Sequence, residues 1–408
     1  MRIAIVSTFP PGKGSLNEYA FHFVNHLRTK HEVQEIIMLT DELADGDSYP
    51  AEDNRAGMVP LRFVPCWRFG DIRNALRIRK AVNAVQPDVV LFNLQFATFA
   101  DTRIAGALGL MSPWLVKSPH TLSAVLLHNI IETVDLGKAG FGGNPIIESV
   151  TRLAGNIFTR MLLQADLIAV TIPKYVDILT TKYNADNVVL APHGAFEDLP
   201  EPAYTLPDGP LQIMTFGKFG TYKTVAPLIE AFEKLKSTHQ QPLELVIAGS
   251  DSPNTPGYLE SMRQKYAHVD GIRYTGYVAE EDVPRIFKES AVVVFPYNST
   301  TGSSGVLHQA GSYGKAVALP DLGDFAELIS EEGYTGEFFE PDDPDSMAAA
   351  IAKFIDDDDH RQQIGKQNFL AASGLPMSEV VDWYLLHFER LLKTKNVNTP
   401  KPQSQEVF

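Results

Sequence analysis

Short apolar runs alternate with amphipathic stretches along the whole chain. In the first half these runs predict strands at Arg2–Val6, Val33–Leu39, Leu61–Val64, Asp88–Phe92, Trp114–Val116, Ser123–Leu127, Asp166–Val170 and Val188–Leu190. Apolar residues at helical spacing predict helices between them, for example Asn17–Arg28, Asp71–Val85 and Pro145–Gln164. The second half repeats the style, with strands expected at Leu211–Phe216, Leu243–Ala248, Ile272–Tyr274, Val292–Phe295 and Ala316–Leu319. Helices at Val225–Lys236 and Glu281–Lys288 are expected to connect them. Continuous apolar strands joined by helices belong to parallel sheets covered on both faces. The expected fold class is therefore α/β, with two Rossmann-like parallel-sheet domains.

The stretch EDLPEPAYTLPDGP, residues 197–210, interrupts the pattern. Its prolines and acidic residues suit neither helix nor strand, which marks a linker. The expected division is an N-terminal domain at 1–196, the linker at 197–210 and a C-terminal domain at 211–373, flanking a ligand cleft. Residues 374–377 (GLPM) break the pattern before a last helix, 378–392, with Val381, Tyr384, Leu385 and Phe388 on one face. The polar stretch 393–408 is expected to be disordered.

Composition removes several function classes. A chain of 408 residues exceeds what one core supports, which agrees with two domains. A net charge of −15 argues against nucleic acid as a partner. The single cysteine, Cys66, rules out an internal disulfide and a cysteine-based metal site. No run approaches the ~20 apolar residues needed to span a bilayer, and MRIAIVS enters a strand without a basic leader. A soluble, cytoplasmic protein is expected.

Two segments of the second half carry candidate chemistry. Residues 215–223, TFGKFGTYK, place Gly217 and Lys218 at a strand end and Lys223 five positions on. About ninety residues later, Gly302, Ser303, Ser304 and Gly305 open a helix. A diphosphate needs fixed positive charge, which lysines supply. It also needs bare amides, which a glycine-rich helix start supplies together with the positive end of the helix dipole. Each feature alone is commonplace, a solvated lysine pair or a loop. Both falling at strand C-termini of one open sheet, where ligands bind, points to a diphosphate site.

The ordered motifs resemble the retaining family 4, or group 1, glycosyltransferases, over residues 1–392. STFPPGKGSLNEYAFHFVNHL resembles the family's first strand, acceptor-side loop and first helix, which assigns Gly12, Gly14, Ser15 and Asn17 to that loop. AVLLHNIIET resembles the strand ending in the active-site histidine, here His128, and VLAPHGAF the turn closing the first domain at His193-Gly194. LVIAGSDS and IRYTGYVAEEDV bring Gly249 and Tyr277 near the nucleotide. FPYNSTTGSSGVLHQAGSYGKAVALPDLGDFAELI resembles the most diagnostic block, with Val306 among the diphosphate amides and Glu327 near the donor.

The resemblance implies a GT-B fold. It also implies retaining, metal-independent transfer of a hexose from a UDP- or GDP-linked donor to a hydroxyl acceptor. No cofactor or metal is expected, the nucleotide sugar being a substrate, and the last helix is expected to cross back onto the first domain. His128, Lys218 and Lys223 are the implied catalytic residues. Where many members carry two glutamates, this chain has Thr301 and Gln309, and Lys218 stands for the usual arginine. Thr301 and Gln309 prompt one alternative, a catalytically silent sugar-nucleotide-binding subunit; a sugar-nucleotide epimerase on the same fold is another. A nicotinamide-dependent dehydrogenase is disfavoured, because the first loop has Asn17 where a third glycine would be required. Arg73, Arg77 and Lys80 on one face of the 71–85 helix read as a plain amphipathic surface, with a weak membrane-surface contact as the alternative.

Overall fold

The computed structural model describes residues 1–398 except 13, 15, 44–46, 96, 97, 101, 134–154, 197–200, 253 and 300–303. The chain divides into two compact units, Met1–His193 with the segment from Met377, and Gly194–Pro376.

The first unit holds a sheet of eight strands: β1 (Arg2–Val6), β2 (Glu35–Leu39), β3 (Glu52–Asp53), β4 (Leu61–Phe63), β5 (Val89–Leu94), β6 (Leu122–Leu127), β7 (Leu167–Val170) and β8 (Val188–Leu190). Their order is β3-β4-β2-β1-β5-β6-β7-β8. All pairs are parallel except β3 with β4, a short antiparallel edge that the hydrophobic pattern did not predict. Trp114–Val116, expected as a strand, lies instead in the helix Ser112–Val116. Pro113 accounts for this: it lacks the amide a sheet ladder needs but suits a first helical turn.

The helix Met377–Asn398 packs on the helix Asn17–Leu27, with Tyr384 edge-on to Phe23 at 5.4 Å. It runs past Leu392 to Asn398, which corrects the expectation of disorder for residues 393–398; residues 399–408 lie outside the described residues. Lys395 Nζ donates to the carbonyls of Ser118 (3.0 Å) and Thr121 (2.9 Å) and to Asp166 Oδ2 (2.7 Å), which anchors the last turns.

The second unit holds β9 (Leu211–Phe219), β10 (Leu243–Asp251), β11 (Ile272–Gly276), β12 (Ser290–Val294), β13 (Ala316–Pro320) and β14 (Glu337–Phe339). The order β11-β10-β9-β12-β13-β14 is fully parallel. It is the 3-2-1-4-5-6 arrangement of dinucleotide-binding sheets. Successive side chains enter opposite faces, as the pleat demands. Ile213, Leu245, Ile247, Val292 and Val294 join a core under the helices Ala226–Thr238 and Pro344–Asp356. Met214, Val246, Ala248, Val293 and Val317 join the other core, under Val283–Glu289 and Gly305–Ser312. Each fully buried Leu, Ile or Phe contributes about 1.5–3 kcal/mol.

The described part of the proline-rich linker lies on this second unit rather than hanging free. Ala203 N donates to Tyr313 O (3.0 Å), and Lys315 Nζ donates to Ala203 O (2.7 Å). Proline removes amide donors but keeps its carbonyls, so a proline-rich strap still docks where donors wait for it. The glycines at 140, 142 and 143 and Pro145 lie outside the described residues. Of the helix expected at 145–164, residues 155–162 are helical.

Candidate functional site

The sheet topology of the second unit creates an opening at one point. β9 pairs with β10 along its whole length, out to Phe219, but with β12 only as far as Met214. The last residues of β9 therefore run beyond β12 at the position where strand order reverses, the usual ligand crevice of such sheets. Gly217 and Gly249 lie side by side there, with φ of 136° and 137°. A Cβ on Gly249 would sit 1.9 Å from Gly217 O, so only glycine admits this approach.

After β9 the chain turns, Gly220 N bonding Lys223 O at 2.9 Å, and docks on the segment after β12. Thr224 N reaches Pro296 O and Asn298 N reaches Tyr222 O, both at 3.0 Å. These bonds hold Lys223 over the strand end. Its Nζ lies 4.9 Å from the Tyr297 ring centroid, and a Cβ on Gly217 would come within 2.7 Å of it. Lys223 is only 9% exposed, and among the described residues no carboxylate pairs with it. Tyr297 OH in turn meets Ser304 Oγ at 3.4 Å.

Ser304 has extended backbone (φ −113°, ψ 110°) and precedes the helix Gly305–Ser312. Its carbonyl accepts from Leu307 N (2.9 Å) and His308 N (3.3 Å). The amides of Gly305 and Val306 thus begin the first turn, where helical amides lack an intrahelical acceptor. The lysine and the helix start, about eighty positions apart in sequence, meet through Tyr297. A lysine beside a helix start is the chemistry that suits an anion.

Other expected residues are distributed around this point. Lys218 is half-buried next to Gly217 and pairs with Ser250 of β10. Gln309 is buried on the helix Gly305–Ser312. Tyr277 is exposed just past the end of β11, and Glu327 is exposed on the helix Gly323–Glu331. Thr301, Gly302, Ser303 and Ser15 lie outside the described residues. A cavity of about 240 Å³ is lined by Gly249, Ser250, Asp251, Arg263, Tyr274 and Gly276 among others. The Arg263 guanidinium lies 4.8 Å over the Tyr274 ring in its wall.

Behind the helix start sits a buried polar cluster that sequence reading did not find. His308 Nδ1 and Tyr334 OH are 2.8 Å apart, and His308 Nε2 is 3.6 Å from Glu332 Oε2. Burial, reinforced by the neighbouring Glu331 charge, pushes the Glu332 carboxyl up to about 8.

In the first unit, His128 follows β6. Its Nε2 lies 2.7 Å from Asn93 Oδ1, and Asn93 Nδ2 donates to Ser7 Oγ at 3.1 Å. Tyr19 meets the rings of both His128 and His193 edge-on, each at 4.8 Å. Part of His128 reaches the surface, yet its ring is enclosed. That desolvation, with the adjacent His193, pushes its pKa down to about 3. A neutral ring that donates Nε2–H to Asn93 leaves Nδ1 as an acceptor. Asn93 carried a readable signal, a lone amide in the apolar strand VVLFNL, whereas its partner depends on strand pairing.

Gly12 and Gly14 lie in the loop after β1. A Cβ on Gly14 would collide with the Thr8 side chain, and Asn17 Nδ2 donates to Gly12 O.

Comparison with known proteins bears on the family and the fold. Residues 200–370 match the family model for Glycosyl transferases group 1. O-antigen chain mannosyltransferase B of Escherichia coli is 23% identical over 161 residues, 40% of this chain and 39% of that protein. An uncharacterized glycosyltransferase of Methanocaldococcus jannaschii is 26% identical over 187 residues, 45% of this chain and 46% of the other. The matches thus span less than half the length of these curated relatives. Among solved structures, sucrose-phosphate synthase from Thermosynechococcus elongatus superposes with a TM-score of 0.72 at 17% identity, covering 97% of this chain and 100% of that one. Anabaena HepE in complex with UDP-glucose gives 0.67 at 16% identity, covering 96% and 100%. The two parallel-sheet α/β domains have the GT-B fold.

Proposed function

We propose that this chain, which carries a Glycosyl transferases group 1 domain at residues 200–370, is a retaining, metal-independent glycosyltransferase. It moves a hexose from a UDP- or GDP-linked donor to a hydroxyl acceptor. The observation that carries the proposal is Lys223, a nearly buried ammonium held against the Gly217 backbone with no carboxylate pairing it among the described residues. An unpaired buried charge is costly, and an anionic ligand removes that cost. A nucleotide sugar brings such an anion, and Anabaena HepE has been solved with UDP-glucose.

As the bond between the sugar C1 and the phosphate oxygen breaks, negative charge accumulates on the departing diphosphate. Lys223, Lys218 and the amides of Gly305 and Val306 stabilise that charge, and groups fixed in advance do so without reorganising during the reaction. The acceptor hydroxyl attacks on the same face the diphosphate leaves and passes its proton to the departing phosphate oxygen, so configuration at C1 is kept. In the first unit, the resemblance assigns His128 to the transferred sugar; its neutral ring, with Nε2–H given to Asn93, can serve a hydroxyl only as an acceptor through Nδ1. Gln309 contributes a neutral amide to donor hydroxyls. A second reading, a sugar-nucleotide-binding subunit without turnover, draws on Gln309 and Thr301, neither of which can ionise.

Thermal shift with purified protein tests the donor class. UDP- or GDP-hexose at 100 times its dissociation constant adds about 2.7 kcal/mol of stability, and NAD(H) adds none. Lys223→Ala keeps the fold and lowers turnover by about 10²–10³-fold, the usual cost of one oxyanion donor. A shift with NAD(H) alone overturns the donor assignment. Donor binding without transfer or donor hydrolysis supports the silent-subunit reading.

A further inference from the structure

The first unit carries an exposed surface made of residues to which the proposed transfer assigns no role. Eleven large hydrophobic side chains are exposed among the described residues, and five of them, Phe69, Ile72, Leu76, Ile104 and Trp114, fall on three adjoining elements. These elements are the helix Asn74–Val85 with the residues leading into it, and the helices Arg103–Gly109 and Ser112–Val116, which pack on it. Ile72 is 59% exposed, Leu76 62% and Ile104 73%. The core face of the first helix is already satisfied by Ile78, Ala81, Val82 and Val85, so the outward apolar residues are not misplaced core.

Helical spacing continues the stripe from apolar to basic. Leu76 follows Ile72 by four positions, and Arg79 and Lys80 follow Leu76 by three and four. Residues 68–80 hold five basic side chains and one acidic, in a chain of net charge −15. Arg68 and Arg77 are committed to Glu42, and Arg73 to Asp71. Arg79 and Lys80 are exposed and have no ion-pair partner among the described residues. Apolar side chains beside uncommitted cations match a layer that is hydrocarbon below and anionic above. A second copy of the chain fits less well, since a self-paired stripe brings Arg79 and Lys80 of both copies together.

We infer that this stripe docks the first unit on the surface of an anionic lipid bilayer. Ile72 and Leu76 enter the boundary between headgroups and chains, while Arg79 and Lys80 meet lipid phosphates. The contact is peripheral; among the described residues no helix is long and apolar enough to cross a membrane.

Co-sedimentation of the full chain with vesicles tests the inference. The protein is expected to pellet with vesicles of phosphatidylcholine mixed with phosphatidylglycerol, and not with phosphatidylcholine alone. Arg79→Gln/Lys80→Gln weakens that binding about 30-fold, from roughly a fivefold loss per basic residue at an anionic surface. Ile72→Ser/Leu76→Ser abolishes it, whereas Leu370→Ser, an exposed leucine elsewhere, leaves it unchanged. No sedimentation of the wild type overturns the inference. So does sedimentation that both double variants retain, or an Ile72/Leu76-dependent dimer without vesicle binding. Thermal shift with the sugar nucleotide stays as in the wild type in all three variants, which separates this surface from the donor site.

Discussion

Asn93 and His128 show how one hydrogen bond sets the chemistry of a ring. With Nε2–H committed to Asn93 Oδ1, the imidazole stays neutral and its other nitrogen can only accept. The folded state resists protonation down to about 3, while the unfolded chain takes its proton at the ordinary value of 6.5. Below pH 6.5 the unfolded state therefore binds more protons, and stability falls with falling pH by up to ~1.4 kcal/mol per unit. Asn93→Asp places a carboxylate beside Nε2, allows the folded ring to charge, and should flatten that slope. Urea unfolding between pH 7 and 5 measures both slopes, and identical slopes would refute the account. Lys223 was legible in the sequence because a charge near a glycine turn has a local meaning. Asn93 stood out as a lone amide in an apolar strand, but its partner, and the role of Tyr297, were not legible, since they arise through strand pairing and a loop contact tens of residues away.

The helix Gly305–Ser312 is positioned from behind as well as in front. His308 and Tyr334 brace its inner face, and Glu332 completes the cluster without a hydrogen-bond partner for either carboxyl oxygen among the described residues. Its folded pKa of about 8 exceeds the ordinary 4.5, so the native state keeps a proton that the unfolded chain releases. That contribution is present in full below 4.5 and is lost as pH rises through about 8. Glu332→Gln, which cannot titrate, should raise the melting temperature at pH 8.5 relative to wild type and shrink the difference at pH 5. Equal differences at both pH values would count against a buried neutral carboxyl. Element type was readable wherever apolar runs were long, as in β5, β6, β9 and β10. It failed at Trp114–Val116, where three apolar residues suit either state and Pro113 decides. It also missed β3 and β14, too short for any period to show.

At the scale of the molecule, both sheets share the same central order, and each leaves a loop at its reversal point. That architecture was legible in the alternation of apolar runs and helices over 408 residues. The fate of the proline-rich segment was not, because composition reports what a stretch cannot form and says nothing of where it docks. The first unit is also discontinuous. Its core includes Val381, Tyr384, Leu385 and Phe388, all buried on the final helix. Deleting the residues from Met377 onward uncovers these contacts on the helix Asn17–Leu27. Losing even two such buried side chains costs about 3–6 kcal/mol. Limited proteolysis of the truncated chain should cut within residues 1–193 while sparing the second unit; equal resistance of both would contradict the role given to the helix.

During synthesis this discontinuity imposes an order. The ribosome delivers Gly194–Pro376 as an uninterrupted stretch able to mature at once, while the earlier-made half waits for a helix not yet translated. Phe23 and its neighbours stay uncovered throughout that interval. Nascent chains of this protein should therefore engage holding chaperones through their oldest residues, and release should coincide with emergence of the terminal helix from the exit tunnel.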